Sequence, residues 1–401
     1  MTARGRALAI LTGLVVFVAG WVVFVSHWSG PVGQGAGVAG ARAADLDAFR
    51  NELLVWAPGG FSERELGKVR DSTRVAAISA VRAGLLPAAS GRSGYRVVPV
   101  EAMAVDANAY TTAAGRPARK LVNLLPKGAV LSRTGAKLRK VKSGGRLRLA
   151  GHRTVSVSGV VDDALLGGYE VALDRELARR YGIRRTTYLL IRTRGPVDGL
   201  QRELRRLLKG RKLHFLTPGD RPFVRGGDGI LPLAQVKARF GEFALPSLRS
   251  GRPDPAWMRA NLVTRRLPVL GRVRCHRLVI GDLGKAMADI QRQGLRGLVD
   301  VGAFRRDGGC WSTRLLRDAR GGKLSRHAWG IAVELTVTPD DRVIRIMARH
   351  GFLWGGNFAR PDDTHFEWVG RGAYGARTTI GTVARAPAPG GRHCLLPAGP
   401  L

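Results

Sequence analysis

Residues 325–334 read Ser-Arg-His-Ala-Trp-Gly-Ile-Ala-Val-Glu, and residues 362–367 read Asp-Asp-Thr-His-Phe-Glu. Together the two stretches supply two imidazoles and several carboxylates. Zn²⁺ binds through this set of nitrogen and oxygen ligands when it keeps one coordination position open for water. The two stretches therefore predict a metal site, and they require a fold that brings them together.

We predict that His327, Glu334 and His365 bind one zinc ion per chain. Residues 330–337 alternate as a strand does, which places His327 at the start of this strand and Glu334 near its other end. Side chains of a regular strand alternate between two faces, so the spacing of seven residues requires a loop or bulge between the two ligands. His365 lies on a last predicted strand, over 364–369.

Two further residues are predicted to act on the substrate. Asp362 precedes His365 by three residues and is placed to take a proton from water and pass it to the leaving amine. Its structural alternative is an Asx turn after Pro361. Arg314 is predicted to hold the substrate carboxylate or the developing oxyanion. Glu367 shares a predicted strand face with His365 and is expected to orient a ligand from behind.

These stretches resemble the VanY/VanX-like zinc D-alanyl-D-alanine carboxypeptidases, whose pattern is Ser-x-His-x-x-Gly-x-Ala-x-Asp. Four positions match it in register: Ser325, His327, Gly330 and Ala332. The second half of the family pattern matches the Gly-Phe-Leu-Trp-Gly-Gly run at 351–356, Asp362 and residues 365–367. Residues 308–314 look like the family's aromatic and arginine approach to the site. Within this resemblance, Ser325 is expected to support the ligand that follows it.

The resemblance covers about 260–370 and implies cleavage at or near the terminal D-alanine of peptidoglycan stem peptides. Glu334 departs from it, because the family has Asp at this position. The longer carboxylate can still bind zinc at roughly 2.0–2.2 Å, whereas a misplacement of about 1 Å can cost on the order of 10²-fold in rate. The alternative function is therefore a catalytically weak peptidase-fold protein that acts as a wall-binding or scaffold module.

The composition favours an anionic partner. The chain has 401 residues with 66 Lys and Arg against 30 Asp and Glu, a formal net charge of +36. Such a surface suits a polyanion. Nucleic acid is not predicted as a partner, because no recognisable nucleic-acid module accompanies the charge. The expected partners are an anionic cell-wall polymer or lipid headgroups.

The N-terminus predicts a membrane anchor. Arg4 and Arg6 precede an apolar run over 7–25, which is long enough to span a bilayer of roughly 30 Å. Positive charge before the span places the tip, within 1–28, in the cytoplasm and the later domains outside. We therefore predict a single-pass protein of the cell membrane, inserted through 7–27. A cleaved signal peptide is the alternative.

An exported location permits one disulfide among the three cysteines, Cys275, Cys310 and Cys394. The sequence leaves open which two of them pair.

The expected fold class is α+β throughout. A linker over 29–44 leads to an α+β extracytoplasmic module over 45–215, with helices predicted at 45–55 and 62–69. Turn-rich sequence over 216–256 predicts a second linker. It is followed by the zinc-peptidase domain with a small antiparallel sheet over 257–384, and by a flexible tail over 385–401.

The first module resembles the extracytoplasmic core domain of MacB-type ABC permeases. The resemblance rests on the order of the stretches 127–132, 144–149, 155–161 and 166–168. It implies an adaptor or interaction module with a protein partner. A transporter is not predicted, because neither an ATPase motif nor a second membrane span accompanies the module.

Overall fold

The computed structural model describes residues 51–114, 118–216, 233–248, 252–306, 309–313, 324–337, 341–357 and 362–370. The predicted anchor over 7–27, the linker over 29–44, the tail over 385–401 and Arg314 lie outside these ranges. In the part of the chain that the structure describes, no helix is both long and apolar enough to cross a membrane. The described residues form a mixed α+β structure, as expected.

A sheet of nine strands forms the first module. Its strands are β1 (Glu52–Phe61), β2 (Val75–Arg92), β3 (Tyr95–Val105), β4 (Ala129–Ser132), β5 (Arg146–Arg148), β6 (Thr154–Val161), β7 (Val171–Asp174), β8 (Thr186–Thr193) and β9 (His214–Leu216). Their order in the sheet is β5-β6-β4-β7-β3-β2-β8-β1-β9. The β3–β7 and β4–β6 pairs are parallel, and the other neighbours are antiparallel.

Six helices accompany this sheet among the described residues: α1 (Glu63–Arg70), α2 (Ala107–Ala114), α3 (Arg119–Leu124), α4 (Arg133–Arg139), α5 (Arg175–Arg180) and α6 (Val197–Leu207). The helix predicted over 62–69 is confirmed as α1. Its start is fixed by a capping box, in which the Ser62 hydroxyl accepts the Glu65 N–H while the Glu65 carboxylate accepts the Ser62 N–H.

The helix predicted over 45–55 is wrong where the structure describes it, because β1 begins at Glu52. This strand lies between β8 and β9 and is buried on both faces from Glu52 to Ala57. A strand covered on both sides carries a continuous apolar run rather than an alternating one. Periodicity alone cannot separate such a run from a helix.

The C-terminal part combines five helices with short antiparallel strands. The helices are α7 (Leu233–Phe240), α8 (Pro255–Asn261), α9 (Ile280–Arg292), α10 (Val301–Arg306) and α11 (Asp341–Arg349). The strands are β10 (Leu262–Leu267), β11 (Gly271–His276), β12 (Val299–Asp300), β13 (Ala332–Glu334), β14 (Thr336–Val337), β15 (Phe352–Trp354) and β16 (His365–Trp368). Strands β10 and β11 form a hairpin, β12 pairs with β14, and β13, β16 and β15 form a three-stranded sheet.

The sequence predicted as a linker over 216–256 contains α7, and this helix belongs to the C-terminal core. Leu233, Val236 and Phe240 are buried in the same apolar cluster as Trp329. Just beyond α7, the backbones of Leu245 and Val97 of β3 exchange two hydrogen bonds, of 3.0 and 2.7 Å. Residues 233–245 thus join the nine-stranded sheet to the core beneath the candidate site.

Candidate metal centre

The register of β13 and β16 brings two predicted ligands together. Glu334 lies directly opposite His365, and Ala332 lies opposite Glu367, in antiparallel pairing. Side chains of directly opposed residues project from the same face of a sheet. His365, Glu334 and Glu367 therefore share one face, while the intervening Phe366 packs into the core.

The third predicted ligand reaches this face from a turn. His327 lies in a 3-10 turn, Arg326–Trp329, and not at the start of the strand as the sequence analysis expects. The turn ends at Gly330, whose backbone is left-handed at φ 66°. A Cβ at Gly330 would lie 2.8 Å from the His276 nitrogen, so glycine is required both for the turn and for the close approach. This turn is the interruption that the seven-residue spacing requires.

Three side chains meet at this point. His327 Nε2 lies 3.0 Å from Glu334 Oε1, and His365 Nδ1 lies 3.3 Å from the same oxygen. One ligand atom from each of the three lies within 4.8 Å of the others, and all three residues are buried. The extra methylene of Glu334 therefore does not carry its carboxylate out of reach of the imidazoles. The roles of the three as metal ligands stay a prediction.

The local charges favour a protonated imidazole beside an ionised carboxylate. Burial lowers the pKa of His365, but hydrogen bonds and charges from Glu334 and Glu367 outweigh it and raise the pKa to about 9. Burial would raise the pKa of Glu334, but hydrogen bonds from His327 and His365 hold it well below its usual range. The cluster thus attracts positive charge to its centre.

The ring of His327 is oriented from behind by a backbone carbonyl. Its Nδ1 donates to the Cys310 carbonyl oxygen at 3.0 Å, which leaves Nε2 facing Glu334. The pairing that the sequence leaves open is settled here, because Cys275 and Cys310 form a disulfide. Ser325, predicted as a supporting residue, accepts the His327 N–H with its hydroxyl at 3.3 Å and so begins the turn.

Glu367 stands behind His365, as the shared strand face predicts. Its Oε2 lies 3.7 Å from His365 Nε2, and its Oε1 accepts from Arg326 Nε at 3.3 Å. Arg326 and Glu367 are both buried. Arg326 could not be singled out from the sequence, because a chain with so many arginines gives no signal that one of them is paired inside the core.

Asp362, the predicted base, is exposed and lies at the rim of the cluster. Its Oδ1 is 3.1 Å from the hydroxyl of Thr364, which is also 3.1 Å from Glu334 Oε2. Thr364 is a second residue that the sequence analysis missed. A Cβ at Gly355 would lie 2.5 Å from the Asp362 carbonyl oxygen, so glycine is required for the close approach of these two backbone positions. One hydroxyl thus links the predicted base to a predicted ligand.

The donor set fits zinc. With zinc–ligand bonds of about 2.0–2.1 Å, neighbouring ligands of a tetrahedral site are about 3.3 Å apart. The two distances from Glu334 Oε1 to the imidazole nitrogens, 3.0 and 3.3 Å, are close to that separation. His327 directs its other nitrogen to the Cys310 carbonyl, the arrangement usual for histidines that bind metals, and the other nitrogen of His365 lies 3.7 Å from the Glu367 carboxylate.

Comparison with known proteins finds a match to this region. The family model described as D-alanyl-D-alanine carboxypeptidase matches residues 319–368, which include all three members of the cluster and Asp362. No curated protein matches the chain.

The matching solved structures are those of the second family that the sequence resembles, the MacB-type ABC permeases. The periplasmic region of MacB from Actinobacillus actinomycetemcomitans is 13% identical over 44% of this chain and 92% of its own, with a TM-score of 0.31. The extracellular domain of the transporter YknZ from Gram-positive bacteria is 14% identical over 39% and 92%, with a TM-score of 0.29. A permease domain from Porphyromonas gingivalis is 15% identical over 44% and 92%, with a TM-score of 0.27. Both resemblances predicted from the sequence are thus returned by the comparisons.

Proposed function

We propose that this protein is a zinc peptidase that hydrolyses peptidoglycan stem peptides at or near the terminal D-alanine. The observation that carries the proposal is the buried meeting of His327, Glu334 and His365 inside the segment that matches the carboxypeptidase family. The same three residues would hold the metal, through Nε2 of His327, a carboxylate oxygen of Glu334 and Nδ1 of His365.

A zinc ion bound there would supply Lewis-acid chemistry, activating water near neutral pH and polarising the scissile carbonyl. The chain's own residues supply the rest. Glu367 and the Cys310 carbonyl would orient the two imidazoles. Asp362 is exposed at the rim, where a substrate can reach it, and would accept the proton of the attacking water and return it to the leaving amine. Arg314 would bind the substrate carboxylate or the developing oxyanion.

The proposed setting is the outer face of a membrane. The predicted anchor over 7–27 would hold the described domains where stem peptides occur, and the net charge of +36 suits an anionic wall polymer or lipid headgroups. The module over 45–215 would then be available to a protein partner. Each of these statements extends the predictions from the sequence.

The deciding experiment measures metal and hydrolysis on the full chain. Purified protein is loaded with zinc, its metal content is measured, and it is incubated with a stem pentapeptide that ends in D-alanyl-D-alanine. About one zinc per chain and release of D-alanine are expected. Failure to bind zinc after loading would refute the proposal. Zinc binding without hydrolysis would indicate a binding protein and not an enzyme.

Glu334 gives a specific reason to test a weaker enzyme as the second candidate. In a chain that binds zinc, a Glu334→Asp variant that turns over much faster than the wild type would indicate a degenerate enzyme that acts mainly by binding. An equal or slower variant of an active protein would show that the longer side chain already supports hydrolysis.

A further inference from the structure

The short segment 309–313 contacts the candidate metal centre although it carries no predicted ligand. Its Cys310 carbonyl accepts from His327 Nδ1 at 3.0 Å. Its Ser312 N–H donates to the backbone carbonyl of His327 at 3.2 Å. The segment therefore fixes both the side chain and the backbone of one predicted ligand.

The contact to Nδ1 determines which ring nitrogen of His327 faces the cluster. A hydrogen on Nδ1 leaves the lone pair on Nε2, the nitrogen that lies 3.0 Å from Glu334 Oε1. The His327 side chain is fully buried. Without its carbonyl acceptor, the buried Nδ1–H would lose its partner, and the ring would lose the contact that selects this tautomer.

The β10–β11 hairpin holds this segment in place through two contacts. Cys310 is bonded to Cys275 of β11, and the guanidinium of Arg274 lies 4.5 Å from the centre of the Trp311 ring. Cys310 is thus the residue that forms the crosslink and also the residue whose carbonyl meets His327. The disulfide acts at the point of contact rather than at a distance from it.

We propose that the Cys275–Cys310 disulfide is a positioning element of the metal centre, which holds the Cys310 carbonyl against His327 and thereby sets the zinc affinity. The inference rests on the proposed zinc site and adds to it a residue pair outside the ligand set. A disulfide that only stabilised the fold would leave the zinc affinity of the folded chain unchanged. The two roles therefore differ in a measurable quantity.

The test compares zinc affinities of full chains in a Cys394→Ser background, which removes exchange with the third cysteine. Affinity is measured by competition with a chelator, at a temperature where near-ultraviolet circular dichroism shows each variant to be folded. Cys275→Ala/Cys310→Ala should bind zinc about 10- to 100-fold more weakly, as is typical when a partner of a ligand is lost. Leu283→Ala, which truncates a fully buried side chain in the same core, should bind zinc as the parent does.

A second pair of variants tests the proposal if the cysteine variant does not fold. Arg274→Ala removes the contact to Trp311, and Arg272→Ala removes the same charge from the same face of the hairpin, two cross-strand pairs closer to its turn. Zinc affinity should fall about two- to fivefold in Arg274→Ala, the size expected for an exposed cation–π contact, and should stay unchanged in Arg272→Ala. The visible spectrum of the Co²⁺-loaded chain should change with the first variant and not with the second.

The outcomes separate the two proposals. A parent chain that binds no zinc overturns the proposed function. A parent that binds zinc, with a folded cysteine variant of equal affinity, overturns the positioning role and leaves the zinc site standing. If only Arg274→Ala can be measured and it matches Arg272→Ala, the positioning role is likewise rejected.

Discussion

Two clusters of buried and half-buried titratable side chains differ in how their charges are balanced. In the first, Lys237 of α7 lies 2.6 Å from Glu170 Oε1 and 3.4 Å from Glu242 Oε1. Arg139 pairs with both carboxylates, at 3.6 Å from Glu170 Oε2 and in closer contact with Glu242. Two fixed cations therefore face two carboxylates, and the cluster needs no further charge.

The second cluster is balanced by groups whose charge can change. Arg326 compensates Glu367, whereas Glu334 lies against imidazoles, and the carboxylates beside His365 raise its pKa to about 9. A dication bound there would displace the proton of this imidazole. Burial and pairing alone therefore do not mark a functional site. What marks it is a compensating charge that can be exchanged.

Replacing His365 is expected to have the greatest effect on the second cluster. His365→Ala removes one of the three predicted ligands, so we expect zinc affinity to fall by more than about 10³-fold and D-alanine release to become undetectable. Metal content and hydrolysis are measured on the same preparations. His350→Ala is the matched control, because His350 lies 2.8 Å from Asp289 Oδ2 beyond the end of α11 and outside the cluster. Equal zinc content in both variants would contradict the ligand assignment.

The complementary change is made in the first cluster, at Lys237. Lys237→Met leaves Glu170 and Glu242 with one cation between them in a buried setting, so we expect the free energy of unfolding to fall by about 3–5 kcal/mol. Urea unfolding measures it. Zinc affinity of the folded variant should stay unchanged.

A double variant supplies the control for this loss. Glu170→Gln together with Lys237→Met removes one buried charge of each sign, so it should unfold at a higher urea concentration than Lys237→Met alone. Additive losses would show that the two residues do not interact, against the 2.6 Å contact.

The two clusters also differ in how visible they are in the sequence. Histidine and glutamate are both common metal ligands, and His327, Glu334 and His365 fall in two short motifs. A metal site can therefore be predicted from the sequence before the fold is known. Lys237 and Glu170 are 67 positions apart, and no local pattern connects them. Their meeting depends on how α7 packs on the sheet.

Geometry within the predicted site is the part that the sequence could not supply. The pairing of Glu334 with His365 is a matter of strand register, and the residues themselves do not specify which positions lie opposite. The 3-10 turn that carries His327 depends on the left-handed Gly330, which a strand-like alternation hides. Thr364 and Arg326 act through contacts that only the folded chain creates.

A smaller effect concerns acid stability of the core that supports the second cluster. His276 is fully buried; its Nε2 donates to the Phe240 carbonyl and its Nδ1 accepts the Leu278 N–H, so the neutral ring satisfies both contacts. Burial lowers its pKa from 6.5 to about 4. As pH falls from above 6.5 towards 4, the unfolded chain takes up this proton and the folded chain does not, so stability is lost, by about 3 kcal/mol for this group.

His276→Gln tests this loss, because glutamine keeps a donor and an acceptor but does not titrate. Its unfolding free energy should depend less on pH than that of the wild type between pH 7 and pH 4. Urea curves at several pH values give the comparison. Parallel curves for the two proteins would mean that His276 does not contribute to acid instability.

The smallest expected effect concerns the hydroxyl that joins a predicted ligand to the predicted base. Thr364 Oγ lies 3.1 Å from both Glu334 Oε2 and Asp362 Oδ1, but it has one hydrogen and can donate to only one carboxylate at a time. Thr364→Val keeps the shape of the side chain and removes about 1 kcal/mol of hydrogen bonding. Where the hydrogen is donated to Glu334, zinc affinity should therefore fall about three- to tenfold, and Thr364→Ser should restore most of it.

The effect of Thr364→Val depends on which carboxylate receives the hydrogen of this hydroxyl. If Thr364 donates to Glu334, it stabilises the ionised ligand, and the loss in Thr364→Val appears in zinc affinity. If it donates to Asp362 instead, the loss appears in the rate of hydrolysis at saturating zinc, because the base alone has lost a contact. Measuring zinc affinity and the rate of hydrolysis on one variant assigns the hydrogen to one carboxylate. A variant unchanged in both quantities would show that the Thr364 hydroxyl contributes to neither.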